Sequence, residues 1–273
     1  MLISAKLWLL LKYFILGTVQ GLTEPLPVSS SGHMVMLRHL FAIESNGLSF
    51  EILVNAASLL AILLIYRKDI FRLLKNGTRY LIYQNASEKS DGFYVVLLVI
   101  ATVPTAITGL LFEDFISESL GSIKTVGVTL IVTAYALWLI RNLKGSKDDQ
   151  QITIKDALIV GLAQSVALVP GISRSGATIV AAMLLGMKKE SALRFSFLLY
   201  IPVSLGITIL SIGDIVKDSQ FNLLAIPYTI AFISSLIASF LALKWFINIM
   251  KKGKLIYFSL YCLAIGVLII IFT

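Results

Sequence analysis

The sequence predicts an all-α polytopic membrane protein made of two inverted-topology repeats, each a re-entrant helical hairpin followed by three transmembrane helices. Three observations carry this. Of 273 residues, 58% are hydrophobic and only 14% charged, and mean hydropathy is +0.90, values far from those of a soluble domain. Long apolar segments recur along the chain, with two of the apolar regions broken at their centres by Pro, Gly and Ser. Finally, a shift of 144 residues superposes polar residues of one broken region on those of the other.

Taken in order, region 3–43 is apolar but interrupted, and reads as two shorter helices flanking a break at about 25–29. Pro25 and Pro27 each remove a backbone donor and oppose a continuous helix. Ser29, Ser30 and Ser31 follow as candidate caps of the second helix. Segments 49–66, 92–112 and 123–141 are long enough, or nearly so, to cross a bilayer. Region 152–187 repeats the interrupted pattern, and segments 194–213, 224–249 and 255–273 complete the set. The first apolar run lacks a small-residue cleavage site before its polar motif, so it is not read as a removable signal. The single Cys262 permits no disulfide within one chain.

Charge sets the orientation. The formal net charge of +8 falls between apolar spans, so it points to topology and anionic lipid and away from nucleic acid. The loop after 49–66 holds Arg67, Lys68, Arg72, Lys75, Arg79 and Lys89; 141–155 holds Arg141, Lys144, Lys147 and Lys155. Lys188, Lys189 and Arg194, then Lys251, Lys252 and Lys254, form two further basic groups. All four are assigned to the cytoplasmic side. The stretch with Glu113, Asp114, Glu118 and Lys124, and the one with Asp214, Lys217 and Asp218, are assigned outside, as are residues 43–48. Region 152–187 then enters and leaves by the cytoplasmic face, as a re-entrant hairpin. Region 3–43 is either its counterpart from outside or one crossing and a return; charge does not choose.

The 144-residue shift favours the counterpart. Gly17 meets Gly161, Gln20 meets Gln164, Ser29 meets Ser173, Ser31 meets Ser175 and Gly32 meets Gly176, with Pro27 one position from Pro170. Each half, about 1–144 and 145–273, is one hairpin plus three spans. Three is odd, so the second copy inserts upside down, within a single integral membrane domain.

The chemistry concentrates in the two breaks. In Gly17–His33, Glu24, three consecutive serines and His33 are costly inside a bilayer unless they face a cavity or one another. Ser30 and His33, three apart, share a helix face. Serine and glycine runs also serve close helix packing, and prolines also serve only to kink. In the second break, Val169–Thr178, Arg174 stands deep inside an apolar region, away from the basic loops. Its planar fork suits phosphate oxygens, and Ser173, Ser175 and Thr178 add hydroxyls beside a helix N-terminus. The plainer alternative is that Arg174 pairs with Glu24 and only locks the hairpins together. Together the tips offer a charge clamp, a Ser/His pair and a carboxylate, the parts of a phosphoryl-transfer site. Apolar surroundings suit a phosphate or diphosphate carried on a long hydrocarbon. A lipid-phosphate or anion translocator on the same architecture would also use Arg174 and the helix ends, but would not need Ser30 beside His33.

The stretches Glu24-Pro25-Leu26-Pro27-Val28-Ser29-Ser30-Ser31-Gly32-His33 and Pro170-Gly171-Ile172-Ser173-Arg174-Ser175-Gly176-Ala177-Thr178, with Phe195–Leu199 and Pro202, closely resemble the undecaprenyl-diphosphatase, or bacitracin-resistance, family. The resemblance runs along the whole chain. It implies hydrolysis of undecaprenyl diphosphate to undecaprenyl phosphate and phosphate in the bacterial plasma membrane, with the site facing outward. That reaction recycles the carrier lipid of peptidoglycan synthesis. It also implies catalytic positions at Glu24, Ser30, His33 and Arg174, and phosphate-binding hydroxyls at Ser29, Ser31, Ser173, Ser175 and Thr178. The family often has a second glutamate, tied to a divalent cation such as Mg²⁺ or Ca²⁺, where this chain has Gln20. A metal site of Glu24 and Gln20 would thus be short of one charge. Asn55 stands where the family commonly has Gln or His, and is a candidate cavity residue. Ser30 with His33 as its base, and His33 itself as nucleophile, both stay open, as do the role of Glu24 and a homodimeric state.

Overall fold

The computed structural model describes residues 2–41, 47–84, 86–213 and 224–273; at 2–5, 47–48, 81, 113–114 and 117–118 the backbone alone is described. The expected outer positions at 43–46 and 214–223, including Asp214, Lys217 and Asp218, lie outside the described residues, as do the side chains of Glu113, Asp114 and Glu118. Among the described residues there are eleven α-helices: α1 Leu2–Thr23, α2 Ser30–Phe41, α3 Gly47–Ile65, α4 Arg67–Tyr83, α5 Lys89–Leu120, α6 Ile123–Ile140, α7 Ile154–Val166, α8 Arg174–Leu184, α9 Lys189–Leu210, α10 Ala225–Lys251 and α11 Ile256–Phe272. Four of them, α5, α6, α9 and α10, are long and apolar enough to cross a membrane, and α3 with α4 form a bent pair that meets the same test.

Both predicted breaks are present. Helix α1 stops at Thr23, whose hydroxyl turns back to the Val19 carbonyl (2.7 Å), and the prolines then hold the chain in turns until Ser30. Ser29 caps α2, its Oγ accepting from the Gly32 N–H (3.3 Å). It does so at φ +66°, a left-handed conformation that is uncommon for a residue with a side chain. Ser173 caps α8 in the same way, accepting from the Gly176 N–H (3.1 Å), after Gly171 has turned the chain at φ +90°.

Elsewhere the helices depart from the expectation. The stretch after α3, read from its charges as a loop, is the helix α4, set at 77° to α3. Ile70, Leu73 and Leu74 fall at helical spacing, and Leu73 is buried in the core, so this basic segment lays an amphipathic helix against the bundle. Helix α5 runs through Leu120, eight residues past the expected end at 112. Helix α11 has 17 residues, roughly 25 Å at 1.5 Å per residue, just short of a full crossing. The first hairpin is lopsided, with 22 residues in α1 against 12 in α2, whereas α7 and α8 have 13 and 11.

Helix α1 packs along α10, α7 along α5, α3 against α9 and α10, and α6 against α11. Two of these crossings leave no room for a side chain. A Cβ at Gly17 would sit 2.2 Å from the Ala231 carbonyl oxygen, and one at Gly161 2.3 Å from that of Ala101. Both hairpin tips meet beside α6: Thr129 and Thr133 donate to the carbonyls of Pro170 (2.7 Å) and Gly171 (3.1 Å). Those bonds satisfy carbonyls that a broken helix leaves without internal partners.

Candidate active site

Glu24 is the meeting point. It sits at the end of α1, its side chain 5% exposed, and three donors converge on it. Gln20 Nε2, one turn earlier, donates to Oε2 (2.9 Å). The Ser30 hydroxyl at the start of α2 donates to the same oxygen. Arg174 Nη2, from the start of α8, donates to Oε1. A buried carboxylate needs such compensation, and losing its cation would leave an unpaired charge worth about 3–5 kcal/mol. The Arg174–Glu24 pairing of the plainer alternative is present as a contact, and it joins the two tips.

A cavity of about 220 Å³ opens beside this pair. It is lined by Gln20, Glu24, Ser29, Ser30, Ser31, Ser173 and Arg174 from the breaks, and by Asn55 from α3. The first turns of α2 and α8 thus border one space, and their free N–H groups and dipoles favour an anion there. Not every predicted hydroxyl is free for a ligand. Ser29 and Ser173 are spent as caps, and Ser29 also lies 3.2 Å from Ser31 Oγ. Ser175 Oγ donates across the tips to the Leu26 carbonyl (3.1 Å). Thr178 donates back to the Arg174 carbonyl (3.0 Å) and contacts Ser196. Ser175 and Thr178 line a narrow adjoining cleft, again with Glu24 and Arg174.

Ser30 and His33 are not brought together. His33 Nδ1 lies 2.8 Å from the Ser29 carbonyl oxygen and Nε2 lies 2.7 Å from the Tyr261 hydroxyl. A carbonyl only accepts, so Nδ1 carries the proton and Nε2 accepts from Tyr261. The two rings stack at 5.6 Å with 5° between their planes. His33 therefore faces a second, apolar cavity of about 740 Å³, with Leu22, Leu26, Trp245 and Tyr261 among its walls. The physical reason is the cap. With Ser29 as N-cap, Ser30 turns toward Glu24, and His33 Nδ1–H is drawn to the Ser29 carbonyl one turn back.

Several residues at the site went unread in the sequence. The Arg174 Cζ lies over the Tyr200 ring of α9, 3.8 Å from its centroid. The Tyr200 hydroxyl donates to the backbone carbonyl (3.2 Å) and side-chain oxygen of Asn55. Gln164, the counterpart of Gln20, lines the polar cavity and donates to Thr105 Oγ1 (3.0 Å). The repeat flagged Gln164, but nothing in the sequence signals that Tyr200 or Tyr261 reaches the tips.

Comparison with known proteins matches residues 13–268 to the family described as bacitracin resistance protein BacA. Undecaprenyl-diphosphatase 2 of Bacillus thuringiensis is 58% identical over 267 residues, covering 98% of this chain and 99% of the relative. Undecaprenyl-diphosphatase of Oceanobacillus iheyensis is 58% identical, covering 97% of each chain. Undecaprenyl-diphosphatase 1 of Halalkalibacterium halodurans is 57% identical, covering 98% and 97%. A match of that length, running through both breaks that build the cavity, makes the chain a member of the bacitracin resistance protein BacA family.

Proposed function

We propose that this protein hydrolyses undecaprenyl diphosphate to undecaprenyl phosphate and phosphate, recycling the carrier lipid of cell-wall synthesis and so supporting bacitracin resistance. One observation carries the reading: a hydroxyl from the first tip and a guanidinium from the second converge on the same buried carboxylate, beside a cavity large enough for a diphosphate. In this mechanism Arg174 exchanges Glu24 for the oxygens of the terminal phosphate. Glu24, released from its cation, takes the proton of Ser30 as Ser30 Oγ attacks phosphorus. The bridging P–O bond breaks, and the lipid monophosphate leaves with the proton returned by Glu24. Water then attacks the phosphoserine, giving up its proton to Glu24, which passes it to the departing Ser30 oxygen. The helix termini and Arg174 stabilise the charge that gathers on the phosphoryl oxygens. His33 is a support of the tip in this scheme, because its acceptor nitrogen is already held by Tyr261.

Among the described residues there is no group of three or more His, Cys, Asp or Glu that could hold a metal ion. Glu24 and Gln20 stand side by side, but both Glu24 oxygens accept from protein donors. The residues present fit only a cation that brings most of its ligands with it, as Mg²⁺ does on a diphosphate. Such an ion would neutralise phosphate charge, with Glu24 and Gln20 as its protein oxygens.

The inverted repeat belongs to the same reading. The paired caps at Ser29 and Ser173 and the paired tight crossings at Gly17 and Gly161 support it. So does the helix packing: α1 on α10 is mirrored by α7 on α5, while α3 with α9 and α6 with α11 mirror themselves. A site open to the outer side fits a cavity lined by Glu51 and Asn55 near the start of α3, opposite the basic ends of α3, α6 and α10. The same architecture is what favours the second reading, a lipid-phosphate translocator. Reconstituted protein separates the two. Hydrolysis that disappears in Ser30→Ala supports the phosphatase; lipid-phosphate transfer between leaflets that survives in Ser30→Ala, without phosphate release by wild type, supports the translocator.

A further inference from the structure

Arg174 has two neighbours of different kinds. Glu24 neutralises it, and must yield if a phosphate is to take its place. Tyr200 does not: an aromatic face attracts a cation through its quadrupole and adds no formal charge, so it does not compete with an incoming anion. A ring beneath Cζ takes up none of the guanidinium N–H donors, so the Nη2 donor now on Glu24 can pass to a phosphate oxygen. Tyr200 is itself immobilised. It is 4% exposed, and its hydroxyl is anchored to both the backbone and the side chain of Asn55 on α3. Tyr200 and Arg174 line the narrow cleft together with Glu24, and Arg174 also borders the polar cavity.

We infer that Tyr200 is a positioning residue for Arg174, holding the guanidinium over its ring and at the cavity after Glu24 has let it go. The inference rests on the reading of Arg174 as the phosphate clamp. It assigns Tyr200 and Asn55 to one brace that runs from α3 through α9 to the tip of the second hairpin. The brace acts on substrate only through Arg174.

Phosphate release from undecaprenyl diphosphate, measured on purified Tyr200→Phe, Tyr200→Leu and Tyr200→Met, tests this, with thermal unfolding in detergent confirming the fold. Tyr200→Phe keeps the ring but loses its anchor on Asn55, and should fall between wild type and Tyr200→Leu. Loss of the ring in Leu or Met should lower kcat/KM by about 2- to 30-fold, the range from an exposed to a desolvated cation–π contact, and weaken inhibition by inorganic phosphate in parallel. In an Arg174→Lys background, whose rounded ammonium cannot stack in the same way, Tyr200→Leu should add little. The inference is overturned if Leu and Met variants stay within 2-fold of wild type, if Phe is as damaging as Leu, or if the losses in the double variant multiply. Those outcomes leave the clamp standing, whereas full turnover by Arg174→Ala would remove the clamp and the brace together.

Discussion

At the scale of single residues, Ser30 meets Glu24 and not His33, the partner that spacing offered it. Helical spacing correctly puts Ser30 and His33 near one face, but rotamer and cap decide what each touches. Ser30 turns to Glu24, and His33 is held between the Ser29 carbonyl and Tyr261. The Ser29 cap was legible, since Ser at a helix start is a strong signal. The Tyr261 contact was not, because it joins residues 228 positions apart. The proposed chemistry places the phosphoryl group on Ser30. Rapid acid quenching followed by peptide mass spectrometry should find phosphate on a peptide containing Ser30, with Glu24→Gln lowering turnover by about 10²- to 10⁴-fold as expected for loss of a general base. Phosphate recovered on His33 would contradict this assignment.

At the scale of elements, the broken helices were readable because Pro, Gly and Ser mark them, and the caps fall where the serines are. What escaped the sequence was α4, whose charges masked a helical stripe, and the unequal lengths of α1 and α2. The crossings that fix the hairpins rest on backbone contact. A side chain at Gly17 meets the backbone of α10, and one at Gly161 the backbone of α5, neither of which can move aside as a flexible tip could. Gly17→Val and Gly161→Val should each lower the thermal unfolding midpoint of the purified protein by several degrees, and the two effects should add because the crossings are separate. A midpoint unchanged by both would mean that these crossings do not hold the hairpins.

At the scale of the whole molecule, two breaks 150 residues apart in sequence, at Glu24 and Arg174, form one polar centre inside an apolar bundle. The carboxylate and guanidinium of that centre were legible, because such groups stand out in apolar text, whereas the equally conspicuous His33 lies outside it. The wiring of the centre was not, because burial draws donors to Glu24 from three directions, and the motif Phe195–Leu199 with Pro202 marks α9 without showing that Tyr200 reaches Arg174. The α3–Tyr200–Arg174–Glu24 chain joins residues from both halves of the sequence, so under the proposed function neither tip should work alone. The most direct measurement is phosphate release from undecaprenyl diphosphate by purified wild type, Arg174→Ala and Ser30→Ala. The account predicts turnover by wild type that falls by at least about 10²-fold in both variants, the loss typical of removing a charge-stabilising group or a nucleophile. Near-wild-type turnover by either variant would contradict a single site built from both tips.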